Sequence, residues 1–324
     1  MGPLPASLFA VVLLATPTVT PGLRLYVSNE KSGTVSVIDT AENRVVDTIT
    51  LGGRVRGIHV APDGKSVLVA MSDFAKRVKS GQDAIAVIDR QKHAVVARFD
   101  GGSDPEQFAV APDGSRLYTS NEDAGTATVV DVRAAKTVAA LPVGIEPEGV
   151  AVSPDGRWVY ITAETSNTVS VIDTRHARVV ASFLVDPRPR AAAFTPDGRH
   201  AFVTSEVGGT VTMVDVAAHR PVGTIALPAG SRPVGIAVSP DGTHVYVANG
   251  RANTVSIIDA RHARVVATLP VGQRPWGVVL TPDGRRLYTA NGLSNDVSVI
   301  DTRTRKVTAT IPVQNGPWGL AIAP

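Results

Sequence analysis

The stretch SPDGTHVYVANGRANTVSIIDARHARVVATLPV, Ser239 to Val271, decides the fold. After the turn Pro240-Asp241-Gly242 comes HVYVA, whose alternating Val and Tyr positions can bury both faces of a sheet against neighbours. A break at Asn249-Gly250 separates it from TVSIID, and one at Arg261-His262 separates that from RVVATL. Proline presets φ, aspartate accepts local hydrogen bonds and glycine takes the left-handed position, so Pro-Asp-Gly reads as a tight turn. GIAVS, from Gly235, supplies a fourth strand ahead of these three.

The pattern then recurs along the whole chain. Pro-Asp-Gly turns begin at Pro62, Pro112, Pro154, Pro196, Pro240 and Pro282. An aspartate closes the third strand of each unit at Asp39, Asp89, Asp131, Asp173, Asp215, Asp259 and Asp301, with spacings of 50, 42, 42, 42, 44 and 42 residues. A period of about 40–45 residues with four short strands is that of a β-propeller blade. First strands are expected to start near Gly57, Gln107, Gly149, Ala191, Gly235, Gly277 and Gly319. The strands from Arg24 have no such strand before them, and the terminal GLAIAP has none of its partners after it. The sequence therefore predicts an all-β, seven-bladed propeller of four-stranded blades. Pairing of the C-terminal strand with the N-terminal blade closes it and removes exposed sheet edges.

Composition agrees with this reading. The 324 residues are 44% hydrophobic and 19% charged, enough apolar material for a substantial core. A net charge of +3 is interspersed along the chain, which gives no basic stripe for nucleic acid. With no cysteine there are no disulfides, no covalent c-type haem and no thiolate metal site. The opening MGPLPASLFAVVLLATPTVTPG carries an apolar run, Leu8 to Ala15, too short to span a bilayer but suited to a secretory signal. Residues 1–20 are accordingly expected to be a signal peptide and 21–324 the propeller, in a periplasmic or secreted protein without a membrane span.

The motifs YVSN at Tyr26, YTSN at Tyr118, YVAN at Tyr246 and YTAN at Tyr288 resemble those of the YVTN family of β-propeller repeats, a match covering residues 24–324. Further stretches, YVSNEKSGTVSVID, DPEQFAVAPDG, EPEGVAVSPDG, RPRAAAFTPDG and NGLSNDVSVID, are similar to the seven-repeat subgroup associated with PQQ-dependent (quinoprotein) alcohol catabolism. That resemblance implies a non-catalytic periplasmic binding propeller. Its expected partner is a quinoprotein dehydrogenase or an associated transport component.

Strands that alternate in direction put the loops leading into first strands and those leaving second strands on one face. The opposite face carries near-identical turns, so divergence between copies marks the first face as the functional one. Leading into first strands it presents Arg54, Arg56, Asp104, Glu106, Glu146, Glu148, Arg188, Arg190, Arg232, Arg274, Trp276 and Trp318. Leaving second strands it presents Asn29, Glu30, Glu122, Asp123, Glu164, Glu206, Asn249 and Asn291. These groups should rim a central funnel, either to bind a ligand or partner or only to pair between blades. The long insertion MSDFAKRVKSGQDA, Met71 to Ala84, offers Phe74, Lys76, Arg77 and Lys79 as a docking loop.

Catalytic motifs are missing. There is no G-x-S-x-G elbow, phosphate-cradling glycine loop or H-E-x-x-H pair, and the histidines are spread one to a turn. His59 is expected to be a packed core residue. The chain therefore reads as a protein without catalysis or cofactor. The alternative is a lactonase-like hydrolase using Asp104, Glu106, Glu148, Arg56 and Arg190, with Ca²⁺ or another divalent cation on the carboxylates.

Overall fold

The computed structural model describes residues 22–74 and 83–323; residues 1–20, expected as a signal segment, and Lys76, Arg77 and Lys79 lie outside them. Among the described residues twenty-eight strands, β1 to β28 in chain order, form seven four-stranded antiparallel sheets. One sheet joins the two chain ends: β28 (Pro317–Ala323) pairs with β1 (Arg24–Asn29), followed by β2 (Thr34–Asp39) and β3 (Arg44–Thr50). The register runs Arg24 to Ala323, Leu25 to Ile322 and Tyr26 to Ala321. The expected closure and the seven blades are thus observed.

Seven apolar clusters account for the stability of the ring, one at each seam between neighbouring blades. At the closing seam Leu25, Val27 and Ile38 pack on Tyr288, Val297 and Val299. Alternation along the middle strands lets one sheet bury both faces, each against a different neighbour. Tyr26, Tyr118, Tyr160 and Tyr288, the aromatic heads of the repeated motif, are fully buried in these seams.

The first strand of each blade lies next to the axis. These are β4 (Arg54–Val60), β8 (Pro105–Val110), β12 (Pro147–Val152), β16 (Pro189–Phe194), β20 (Pro233–Val238), β24 (Pro275–Leu280) and β28. They start two or three residues earlier than the sequence suggests. Arg56, Glu106, Glu148, Arg190, Trp276 and Trp318, expected in the loops leading in, lie inside the strands.

Candidate functional site

Each axial strand slips register against its neighbour at one place, between Val55 and Ile58, Pro105 and Phe108, Pro147 and Val150, and at the equivalent sites of the other blades. A bulge leaves extra backbone unpaired and re-aims its side chain. The residues in the bulges, read around the axis, are Trp318, Arg56, Glu106, Glu148, Arg190, Val234 and Trp276. The residue after each is glycine in five blades, because neighbouring backbones crowd it. A Cβ on Gly149 would stand 2.4 Å from the Arg190 carbonyl oxygen, and one on Gly235 would stand 2.3 Å from that of Trp276.

Hydroxyls from the second strands fix these bulges. Ser28 donates to the Arg56 carbonyl at 2.6 Å, Thr204 to that of Val234 at 2.6 Å, and Ser120 to that of Glu148. Ser28 and Thr162 also accept from the bulged backbone of their own blade, at Gly319 and Gly149. One hydroxyl thereby ties two blades at the level of the functional side chains.

The charged groups form two clusters. In the first, Glu106, fully buried, receives Arg54 at 2.6 Å and also Arg56, which reaches Glu30 at 2.8 Å. In the second, Arg190 bridges Glu148 at 3.0 Å and Glu164, with Glu206 at 3.9 Å. Arg188 lies 3.0 Å from Glu164 and Arg274 3.2 Å from Glu206. Pairing between blades is therefore real at this mouth, and it places guanidinium planes next to buried carboxylates. Among the described residues Arg232 forms no ion pair.

Trp276 and Trp318 face one another with ring centroids 6.5 Å apart. The Arg274 guanidinium lies 4.3 Å from the Trp276 centroid, Arg190 lies 5.8 Å from it, and Arg56 lies 5.8 Å from that of Trp318. Gly250 and Gly292 stand where other blades carry Glu122, Glu164 or Glu206, and a Cβ on Gly292 would meet the Trp276 indole at 2.6 Å. Glycine here makes room for tryptophan. Asp104, Glu146, Arg188, Arg232 and Arg274, each before a proline, have φ between 47° and 63°, where Gly316 stands in a sixth blade. Charged residues held in the left-handed region concentrate at functional sites.

Below the ring is a cavity of about 180 Å³ lined by Glu148, Arg190, Trp276 and Trp318, and deeper by Gln107 and His59. Burial pushes the Glu148 carboxyl above the usual carboxylate range, against the pull of Arg190 and Arg56. His59, expected as a packed core residue, packs edge-on against buried Phe108 with ring centroids 4.9 Å apart and also lines the cavity, and burial pushes its imidazole down to about 4. It is neutral at physiological pH.

Other expected groups lie elsewhere. Asn29 is fully buried and donates to Thr34 and Ser36, so it pins the hairpin rather than facing the mouth. Asn249 and Asn291 do the same. Phe74 is 60% exposed at the edge of the insertion.

The Lactonase family, a 7-bladed β-propeller, matches residues 186–316, and the Cytochrome D1 heme domain matches residues 70–187. No curated protein matches the chain. Among solved structures, hydrazine synthase from Kuenenia stuttgartiensis is 23% identical, with a TM-score of 0.76 over 91% of this chain and 99% of that one. A protein of unassigned function from Desulfotomaculum acetoxidans is 22% identical, with a TM-score of 0.78 over 93% of this chain and 98% of that one. A protein from Bacteroides fragilis described as a candidate 6-phosphogluconolactonase is 19% identical, with a TM-score of 0.76 over 96% and 100%. At these identities the likeness carries the fold alone. The expectation of a protein without catalysis is overturned by the family comparison, since residues 186–316 match the Lactonase model. Its basis was the lack of a linear motif, but a propeller can assemble acid and cation from different blades, one residue at a time. The chain is a seven-bladed β-propeller, similar to Lactonases over residues 186–316.

Proposed function

We propose that the protein is a lactonase-like hydrolase acting at the axial ring. The observation that carries this reading is Glu148, a buried carboxyl pushed up by its surroundings, held 3.0 Å from Arg190 in the wall of the axial cavity. The Lactonase match supports it, because residues 186–316 supply Arg188, Arg190, Glu206, Arg274 and Trp276. A carboxyl raised above its ordinary range by burial holds and returns a proton more readily than an exposed one.

Glu148 takes a proton from water as the water oxygen adds to the lactone carbonyl carbon. The oxyanion faces Arg190, whose guanidinium stays charged at any working pH. Collapse breaks the ring carbon–oxygen bond, and the proton held by Glu148 passes to the departing alkoxide. The product is the open hydroxy acid. A cavity of about 180 Å³ is smaller than the roughly 300–1,000 Å³ of pockets enclosing drug-sized ligands, which favours a compact lactone ring. It does not accommodate a haem. The quinoprotein setting rests on the resemblance of the repeats alone, and co-purification with a periplasmic dehydrogenase tests it.

The deciding experiment is proton release from a panel of five- and six-membered lactones. The wild type should turn over at least one, and Glu148→Gln should lower its rate by about 10²–10⁴-fold, the usual worth of a positioned acid–base group. A wild type that opens no lactone overturns the reading.

A further inference from the structure

The first charged cluster holds a feature that the lactonase reading leaves unused. Asp104, Glu106 and Glu122 each offer a carboxylate oxygen within 4.8 Å of the others. Asp104 is 6% exposed, and neither of its oxygens receives a hydrogen bond from a described residue. Its nearest cation, Arg54, stays 3.8 Å away while donating to Glu106 at 2.6 Å. A buried carboxylate without a donor is expensive to keep unless something else compensates it. No orphaned carboxylate oxygen occurs in the second cluster, where Arg188, Arg190 and Arg274 serve Glu148, Glu164 and Glu206.

We propose that Asp104, Glu106 and Glu122 bind one hard divalent cation, Ca²⁺ in the first place. The separation fits. Oxygens on opposite sides of Ca²⁺, each at about 2.4 Å, are about 4.8 Å apart. The donors are all oxygen, as Ca²⁺ requires, and there is no sulfur or imidazole among them to select a softer metal. Ca²⁺ also accepts irregular coordination, which a site shared with Arg54 must have. The backbone N–H of Asp104 is anchored on Asp83 at 3.1 Å, which fixes the ligand that carries the proposal.

The test reads binding rather than hydrolysis, so it stands apart from the lactonase reading. Chelator-treated, desalted protein is titrated with CaCl₂ by calorimetry, and melting is followed with and without the ion. One ion per chain is expected, with a dissociation constant of about 10⁻⁴–10⁻³ M or tighter. Melting should rise with Ca²⁺. Asp104→Asn, nearly isosteric, should weaken binding at least tenfold with circular dichroism unchanged. Glu122→Gln serves as a second variant that leaves Arg54 and Arg56 on Glu106. No binding at 10-fold above about 1 mM Ca²⁺, or binding unaltered in both variants, overturns the site.

Discussion

Replacing Gly319 by alanine probes the closure and the functional ring together. A Cβ there would stand 2.6 Å from the Arg56 carbonyl oxygen, 2.9 Å from Ile58 and 2.9 Å from the Ser28 hydroxyl. The first is backbone of the next blade and cannot swing aside. Ser28 links the same groups, accepting from the Gly319 N–H at 2.9 Å and donating to the Arg56 carbonyl at 2.6 Å. Overpacking typically costs about 1–3 kcal/mol, and a lost buried hydrogen bond adds about 1 kcal/mol. A total of about 2–4 kcal/mol follows from those two terms. With an unfolding entropy of about 2.1 cal/mol/K per residue over roughly 300 ordered residues, melting should fall by about 3–6 °C. Differential scanning calorimetry reads this directly. A melting temperature within about 1 °C of wild type would show that the seam yields freely and that glycine is not required for the blades to approach.

Two further predictions concern pH. Burial lowers His59 from 6.5 to about 4, so between those values the unfolded chain binds a proton that the folded chain does not. Its contribution to stability is complete above pH 6.5 and is lost as the pH falls toward 4. His59→Ala, the residue found in most equivalent positions, should therefore flatten the pH dependence of melting across that window; an unchanged slope counts against a neutral imidazole in the cavity. Asp259 is lowered from 3.8 to about 2, chiefly by the His262 side chain 2.9 Å away. That turn is stabilised above pH 3.8 and loses the benefit as the pH falls through about 2, and His262→Ala should raise the Asp259 titration midpoint seen by NMR.

The fold was legible because its signals are local. Pro-Asp-Gly sets a turn wherever it stands, and the buried tyrosines sit in short apolar runs such as Leu25-Tyr26-Val27 and Val159-Tyr160-Ile161, each bounded by turns. The axial bulges were harder to see. Gly149, Gly235, Gly277 and Gly319 look like strand starts to a propensity argument, whereas each marks close backbone approach one residue beyond a functional side chain. A repeated residue-then-glycine pair in the same place of five copies was the available signal, and Glu106-Gln107 and Arg190-Ala191 obscured it. Which arginine meets which acid could not be read at all. Arg190 meets Glu164 and Glu148 because a neighbouring blade brings them, and no spacing along the chain encodes that contact. His59 packs on Phe108 as its apolar strand suggests, but the cavity that the axis leaves beside it was not legible.

Seven copies of one unit would give seven identical groups around the axis, and identical charges there would repel. The chain places two adjacent acids, Glu106 and Glu148, between two arginines, and puts tryptophans on the far side. The two acids then receive different treatment. Glu106 has Arg54 and Arg56 directed at it, whereas Glu148 shares Arg190 with Glu164 and Glu206. Shared compensation does not offset burial, and the Glu148 carboxyl rises. A buried carboxyl raised by its surroundings is a usual basis of acid–base chemistry in a site. Divergence at equivalent positions is therefore what converts a symmetric scaffold into a place where a proton can move. Adding another cation to the wall of the cavity that Glu148 lines, as in Val234→Arg, should lower its carboxyl and slow turnover without unfolding the ring.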